Sequence, residues 1–307
     1  MTLKHLIRTL ESVWKRLALL FVVVCTATAF IGGQQLGKSG TAPTPDGGTA
    51  APRSLRLYVF DCGKLTIRDP SSFGFTNGEL ATTDMSDPCF LIAHPKGTLL
   101  WEAGVLPDSV FTTTGSVTKG AATVTKPLKA QLAEIGYVPS DITYLAFSHC
   151  HGDHTGNAND FAGATWLVRQ EERDAMFGGS TDYSGCWAPE HFSSLRNSKT
   201  QILTQADYDV FGDGTVVIKS APGHTPGHQV LFVNLPKTGP VLLSGDLYHY
   251  PEERTHGPIP RTEFNREQTR ASRAAVEAFL KKSGAQLWIQ HDYIGNTKLR
   301  KSPAYYE

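Results

Sequence analysis

Beyond about residue 53 the chain alternates short apolar runs with turn-forming residues. The runs are Leu55–Phe60, Cys89–Ala93, Thr98–Trp101, Thr143–Phe147, Thr165–Val168, Gln229–Val233, Val241–Leu243 and Leu287–Gln290. They are rich in β-branched, aromatic and aliphatic side chains and bounded by Gly, Pro, Asn or Asp, the pattern of strands. Pro95-Lys96-Gly97 predicts a hairpin turn between the second run and the third. Two segments carry a helical period instead. In Lys126–Ile135 the apolar residues Leu128, Leu132 and Ile135 fall at i, i+4 and i+7, and Gly136 stands where a helix would end. In Arg266–Lys282 the stripe is Ala275, Val276, Phe279 and Leu280, with Asn265 as N-cap, Gln268 three residues on and Gly284 at the close. Strands interleaved with a few well-marked helices predict an α/β (α+β) domain built on mixed sheets. No repeat of fixed period is visible.

The first residues follow another pattern. Lys4, Arg8, Lys15 and Arg16 stand against Glu11 alone, an apolar run Leu17–Val24 follows, and Ala27-Thr28-Ala29 supplies small residues. This reads as a secretory signal over residues 1–29, and the expected location is periplasmic or secreted. A retained N-terminal membrane anchor is the alternative, although Thr, Cys and Gly dilute the uncharged stretch. Cys25 would suit a lipoprotein, but Val24 before it is larger than such a signal wants. After cleavage no stable membrane insertion is expected. From Gly32 to Pro52 the chain is largely Gly, Thr, Pro, Ser, Ala and Gln with almost no large apolar side chain, so a flexible linker is expected over residues 30–53. The folded domain is expected over 54–307.

Composition narrows the function. With 29 Lys+Arg against 29 Asp+Glu the formal net charge is zero, and removal of residues 1–29 would leave 25 against 28. Neither balance suits a nucleic-acid binder, which needs a basic excess. Five cysteines in 307 residues are too few for a disulfide-built scaffold. The outstanding figure is 11 histidines against 5 Cys, 3 Met and 5 Trp. Their placement decides the chemistry.

The strand-like Thr143–Phe147 runs directly into Ser148-His149-Cys150-His151-Gly152-Asp153-His154. Four metal-competent side chains fall within six residues. His149 and His151, two apart in extended chain, project to one side, whereas Asp153 and His154 lie past the Gly152 turn. Three later segments at strand boundaries add to them: Pro222-Gly223-His224-Thr225-Pro226-Gly227-His228, Ser244-Gly245-Asp246-Leu247, and Gln290-His291-Asp292. Three neutral imidazoles suit one zinc with an open position. Two carboxylates and two imidazoles suit a second, with one carboxylate shared between the ions.

His149-x-His151-x-Asp153-His154 followed in order by His224, Asp246 and His291 resembles the metallo-β-lactamase superfamily. The resemblance implies a four-layer αβ/βα sandwich. It assigns His149, His151 and His224 to a first metal, Asp153, His154 and His291 to a second, and Asp246 to the bridge. Two Zn2+ ions are the implied cofactors, with other divalent metals as alternatives. His228 matches a position that supports the ligands rather than joining them.

Within the superfamily the chain is similar to the N-acyl homoserine lactonases. The strand Leu57–Gly63, the hairpin Cys89–Ile92 with Leu99–Gly104, Pro222–Gln229 and His291-Asp292 all match. Two positions depart. Glu102 replaces the Asp of a D-T-G turn, and His249, flanked by Tyr248 and Tyr250, stands where some members carry a lactone-binding Tyr. The implied partner is a small-molecule lactone, opened by attack of a metal-bridging hydroxide, with Asp153 shuttling the proton and His249 or Tyr248 donating to the oxyanion. Hydrolysis of a thioester, β-lactam or phosphodiester on the same metals, or a non-hydrolytic metal protein, are the alternatives. Acyl-chain preference and oligomeric state are open, a homodimer included.

Other residues carry weaker expectations. The aromatic stretch Met176–Leu195 (Phe177, Tyr183, Trp187, Phe192) reads as a loop that either lines an acyl-chain channel or is pinned to the core, and Ser71–Met85 is a second candidate rim. His94 falls in the hairpin turn, and His191 and His256 are expected to be solvated. Cys150 is expected to pack away from the metals, and a Cys62–Cys89 bridge is left open.

Overall fold

The computed structural model describes residues 52–112, 115–179 and 183–307. The expected signal at 1–29, and the expected linker at 30–53 save for its last two residues, lie outside the described residues. Among the described residues, no helix is long and apolar enough to cross a membrane.

The apolar runs form two sheets. The first is built from β1 (Arg56–Thr66), β2 (Asp84–His94), β3 (Gly97–Trp101), β4 (Val117–Lys119), β5 (Ala122–Val124), β6 (Tyr144–Ala146), β7 (Thr165–Val168) and β8 (Thr200–Ile202), in the order β4-β5-β1-β2-β3-β6-β7-β8. Its β1–β3 portion is antiparallel, whereas β3, β6, β7 and β8 run parallel. The second contains β9 (Asp207–Asp209), β10 (Val216–Ser220), β11 (Gln229–Leu235), β12 (Gly239–Leu243) and β13 (Gln286–Trp288), in the order β13-β12-β11-β10-β9, with β13 parallel to β12. A last short strand, β14 (Tyr305–Tyr306), pairs with β1.

Among the described residues, six helices accompany the sheets: α1 (Leu128–Glu134), α2 (Gly152–Thr155), α3 (Gln170–Phe177), α4 (Pro251–His256), α5 (Arg266–Ser283) and α6 (Tyr293–Lys298). Parallel strands need crossovers, and α1, α2 and α3 occupy those between β3, β6, β7 and β8. The two-residue period of β1 and β2 sends alternate side chains into different layers. Leu57, Val59, Phe90 and Ile92 meet Val216, Ile218, Leu231, Val233 and Val241 of the other sheet. Tyr58, Phe60, Cys89 and Leu91 instead join Leu128 and Leu132 of α1. On the far side, Val276 and Leu280 of α5 cover Val230 and Leu242. Helix, sheet, sheet and helix are thus the expected four layers.

Both predicted helices form. The first has Gly136 just past its end at φ 81°. The second is capped as its sequence implies: Asn265 accepts from the Glu267 and Gln268 N–H groups, and Gly284 closes it at φ 70°. Pro95-Lys96 turns the β2–β3 hairpin, pairing His94 with Gly97. Strands β4, β5, β8, β9, β10 and β14 and helices α2, α3, α4 and α6 escaped the sequence reading. They are short, or, in β10, too mixed in polarity for a two-residue period to stand out.

Asn265→Ala removes an acceptor from two otherwise unpaired helix donors. It should cost about 1 kcal/mol, read as a lower midpoint of urea unfolding with an unchanged slope.

Candidate metal centre

The candidate ligands converge because parallel register aligns strand ends. β3 and β6 end together, with Trp101 opposite Ala146, and β12 and β13 do the same, with Leu243 opposite Trp288. From these four ends emerge Glu102, the Ser148–His154 motif, Asp246 and His291. His224 comes from the loop before β11, held by Ala221 N–H donating to His228 O at 2.9 Å. Gly245 is required where the Asp246 loop crosses the motif. Its φ is 48°, and a Cβ there would lie 2.3 Å from Ser148 Cβ.

All seven expected ligands come together. Ligand atoms of His149, His151, His224 and Asp246 lie within 4.8 Å of one another, and so do those of Asp153, His154 and His291. Asp246 faces both groups. Its Oδ1 is 3.2 Å from His154 Nε2 and 3.1 Å from His291 Nε2, whereas its Oδ2 is 3.4 Å from His224 Nε2 and 3.6 Å from His149 Nε2. His149 Nε2, His154 Nε2 and Asp246 Oδ1 are buried and make no hydrogen bond. Buried polar atoms left without hydrogen bonds are costly in a protein alone, while imidazole nitrogens and carboxylate oxygens are the donor set of zinc-like ions. The residues fit a divalent metal.

The outer nitrogens of these rings are occupied. His149 Nδ1 meets Ser148 Oγ at 2.9 Å, and His154 Nδ1 lies 3.3 Å from both Ser148 Oγ and Glu102 Oε2. His224 Nδ1 donates to Glu263 at 2.9 Å, and His291 Nδ1 donates to the Ser86 carbonyl at 2.8 Å. Such partners set the tautomer and aim the inward nitrogen. Glu102 is fully buried at φ 67°, a conformation few non-glycine residues adopt, and accepts the Ser148 N–H. It therefore supports the motif despite replacing the expected Asp.

His228 does not face the ligand group. Its Nδ1 donates to the Ala221 carbonyl, and its Nε2 accepts the Asp246 N–H at 3.0 Å. Burial pushes its pKa down to about 3, in keeping with a neutral ring that accepts at Nε2. Burial would raise the Asp246 carboxyl, but His291, His154, His149 and His249 hold it well below the usual range.

His249 and Tyr248 part company. His249 Nε2 lies 3.3 Å from Asp246 Oδ2, its Nδ1 donates to Glu253 at 3.2 Å, and Phe73 packs on its ring. Tyr248 points elsewhere: its hydroxyl donates to Glu277 of α5 and Arg273 covers its ring. Successive residues of extended chain face opposite ways, so Tyr248 is corrected from oxyanion donor to packing residue.

Two further expectations change, and others are resolved. Cys150, expected only to pack, is bonded to Cys186, and the bridge left open between Cys62 and Cys89 is present. His191 is buried, its Nδ1 donating to the Gly152 carbonyl, while His94 stacks on Phe211 beside Asp213. Phe177 and Phe192 pack in the core, whereas Tyr183 reaches His151 at 2.5 Å. Residues 180–182 of that stretch lie outside the described residues.

Sequence reasoning missed Glu172, Glu253 and Glu263. Glu172 of α3 accepts from Cys150 N–H, Thr225 Oγ1 and Gly227 N–H, at 2.7–2.8 Å, and so ties the motif to the His224 loop. No spacing signalled it, because its partners are 22 to 55 residues away.

A model of the metallo-β-lactamase superfamily matches residues 83–284. The chain belongs to that superfamily. It is 31% identical over 266 residues to the N-acyl homoserine lactonase AttM of Azorhizobium caulinodans, covering 82% of this chain and 99% of that protein. It is 26% identical to the N-acyl homoserine lactonase AiiA of Bacillus thuringiensis subsp. kurstaki, covering 81% and 98%. Among solved structures it is similar to an N-acyl homoserine lactone hydrolase with N-hexanoyl-L-homoserine bound at its catalytic metal centre. That likeness has a TM-score of 0.64 and 25% identity, and covers 82% of this chain and 99% of the other.

Glu172→Ala would strand three buried donors. It should destabilise the protein by about 3 kcal/mol or more, measured by urea unfolding.

Proposed function

We propose that the protein is a dinuclear zinc lactonase that opens N-acyl homoserine lactones. One observation carries this reading: the Asp246 carboxylate presents its two oxygens to two different imidazole groups. The similarity to lactonases over 82% of the chain supports the choice of substrate. His149, His151 and His224 would hold one ion, Asp153, His154 and His291 the other, and Asp246 both. Bound divalent ions supply Lewis acidity, lowering the pKa of water towards neutrality and polarising an ester carbonyl.

The chain's own residues do the rest. Hydrolysis adds a water oxygen to the lactone carbonyl carbon, breaks the ring C–O bond and returns a proton to the departing oxygen. Asp153, buried with Oδ2 3.7 Å from His291 Nε2, carries that proton. His249 donates from Nε2 to the carbonyl oxygen as negative charge develops there. Glu253 holds the other ring nitrogen, Arg273 clamps Glu253, and Phe73 fixes the ring plane. This would supply preorganised donation at the position where some lactonases carry a tyrosine. The basic and apolar N-terminus supports export, so that hydrolysis takes place outside the cytoplasm.

Ring-opening assays should show activity on homoserine lactones that a chelator removes and Zn2+ restores, with two zinc ions per chain by elemental analysis. Preference for a thioester, β-lactam or phosphodiester in the same panel would redirect the assignment. Asp153→Asn should abolish turnover. His249→Phe should lower kcat about 10²–10³-fold with metal content unchanged, as for loss of an oxyanion donor.

A further inference from the structure

Cys150 lies between two of the candidate ligands, and its partner Cys186 lies 36 residues further along, with Cα atoms 5.2 Å apart. The residues around Cys186 cover the motif. Three positions before it, Tyr183 meets His151 Nε2 at 2.5 Å, while Nδ1 of the same ring faces His224 Nε2 at 3.2 Å. One position after it, the Trp187 ring rests on Gly152, so closely that a Cβ there would lie 2.2 Å from it. Further on, His191 donates to the Gly152 carbonyl at 3.2 Å.

His151 differs from the other rings in what orients it. His149 and His154 are held by Ser148 and Glu102 at strand ends, His224 by the buried Glu263, and His291 by a carbonyl of β2. The partner of His151 sits on an irregular segment that is only partly buried: Tyr183 and Cys186 touch the core, but Trp187 is 49% exposed. A hydroxyl can aim a ring only if its own backbone is fixed. A crosslink supplies that constraint by removing conformations from the segment.

We propose that the Cys150–Cys186 disulfide positions His151. It fastens the 183–187 segment to the motif, so that the Tyr183 oxygen accepts His151 Nε2–H and turns Nδ1 inward as a ligand. Cys150, Cys186 and Tyr183 are positioning residues acting through His151. The inference rests on the reading of His151 as a metal ligand. Partners of this kind carry about 10–100-fold in metal affinity.

The test is zinc competition against a fluorescent chelator, using the full chain and without reference to turnover. C150A/C186A should bind zinc about 10-fold or more weakly at one of two sites, and Y183F should weaken the same site. If both act through one bond, C150A/Y183F/C186A should be no weaker than C150A/C186A within about twofold, since residues in one network are non-additive. C62A/C89A, which removes the other disulfide, should lower the unfolding midpoint yet keep zinc affinity. Wild-type affinity in C150A/C186A, fully additive losses, or an equal loss in C62A/C89A would overturn the proposal. Y183F keeps the disulfide and so remains informative if C150A/C186A does not fold; unchanged affinity in it overturns the proposal. A wild-type chain that takes up no zinc would overturn the metal reading first, and this inference with it.

Discussion

A carboxylate taken out of water among imidazoles is the constraint on which the site depends. Asp246 is 3% exposed, with His149, His154, His224, His249 and His291 within 3.6 Å of its oxygens. Its burial is tolerable only because those rings hold the charge there. The rings in turn cannot be buried with loose outer nitrogens, so each draws in a further partner: Ser148, Glu102, Glu263, Glu253 or the Ser86 carbonyl. Glu253 needs Arg273, and Glu263 needs Thr269, both on α5. Helix α5 is thus a structural cover on one face and the outer support of the site at its edge.

The sheets make this arrangement affordable. Parallel pairing of β3 with β6, and of β12 with β13, delivers four strand ends to one place, where polar loops begin and core packing stops. Large side chains such as Trp101, Leu167 and Leu231 fill the layer between the sheets behind the site, so the ligand loops rest on a rigid base. Local strain sits at the same edge: Glu102 at φ 67° and Gly245 at φ 48° bend the chain so that Ser148 fits between them.

The two disulfides fall near this edge as well. Cys62–Cys89 joins the adjacent strands β1 and β2 behind the Glu102–Gly104 turn, and Cys150–Cys186 lies in front, at the motif itself. A site assembled from loops loses geometry through loop entropy, and the crosslink at the motif limits that loss. Phe73 meets His249 and Tyr183 meets the candidate ligand His151 from two different segments, so aromatic side chains flank the site.

Much of this was legible in the chain itself. Local chemistry is encoded locally: strands with a strong apolar run, the Asn265 cap, and ligands packed within six residues announce themselves because their partners are neighbours in sequence. Ordered ligand motifs likewise identified the superfamily and its four layers. What the tertiary structure alone decided involves partners far apart in the chain. It turned His249 towards Asp246 and Tyr248 towards Glu277, since a one-residue change of face is invisible without backbone direction. It recruited Glu172, Glu253 and Glu263, whose spacings carry no motif, and paired Cys150 with Cys186. It buried His191, which sequence reasoning left in solvent. Sequence determined which groups could bind a metal; only packing determined which groups hold them in place, because desolvation and orientation are properties of the assembled interior.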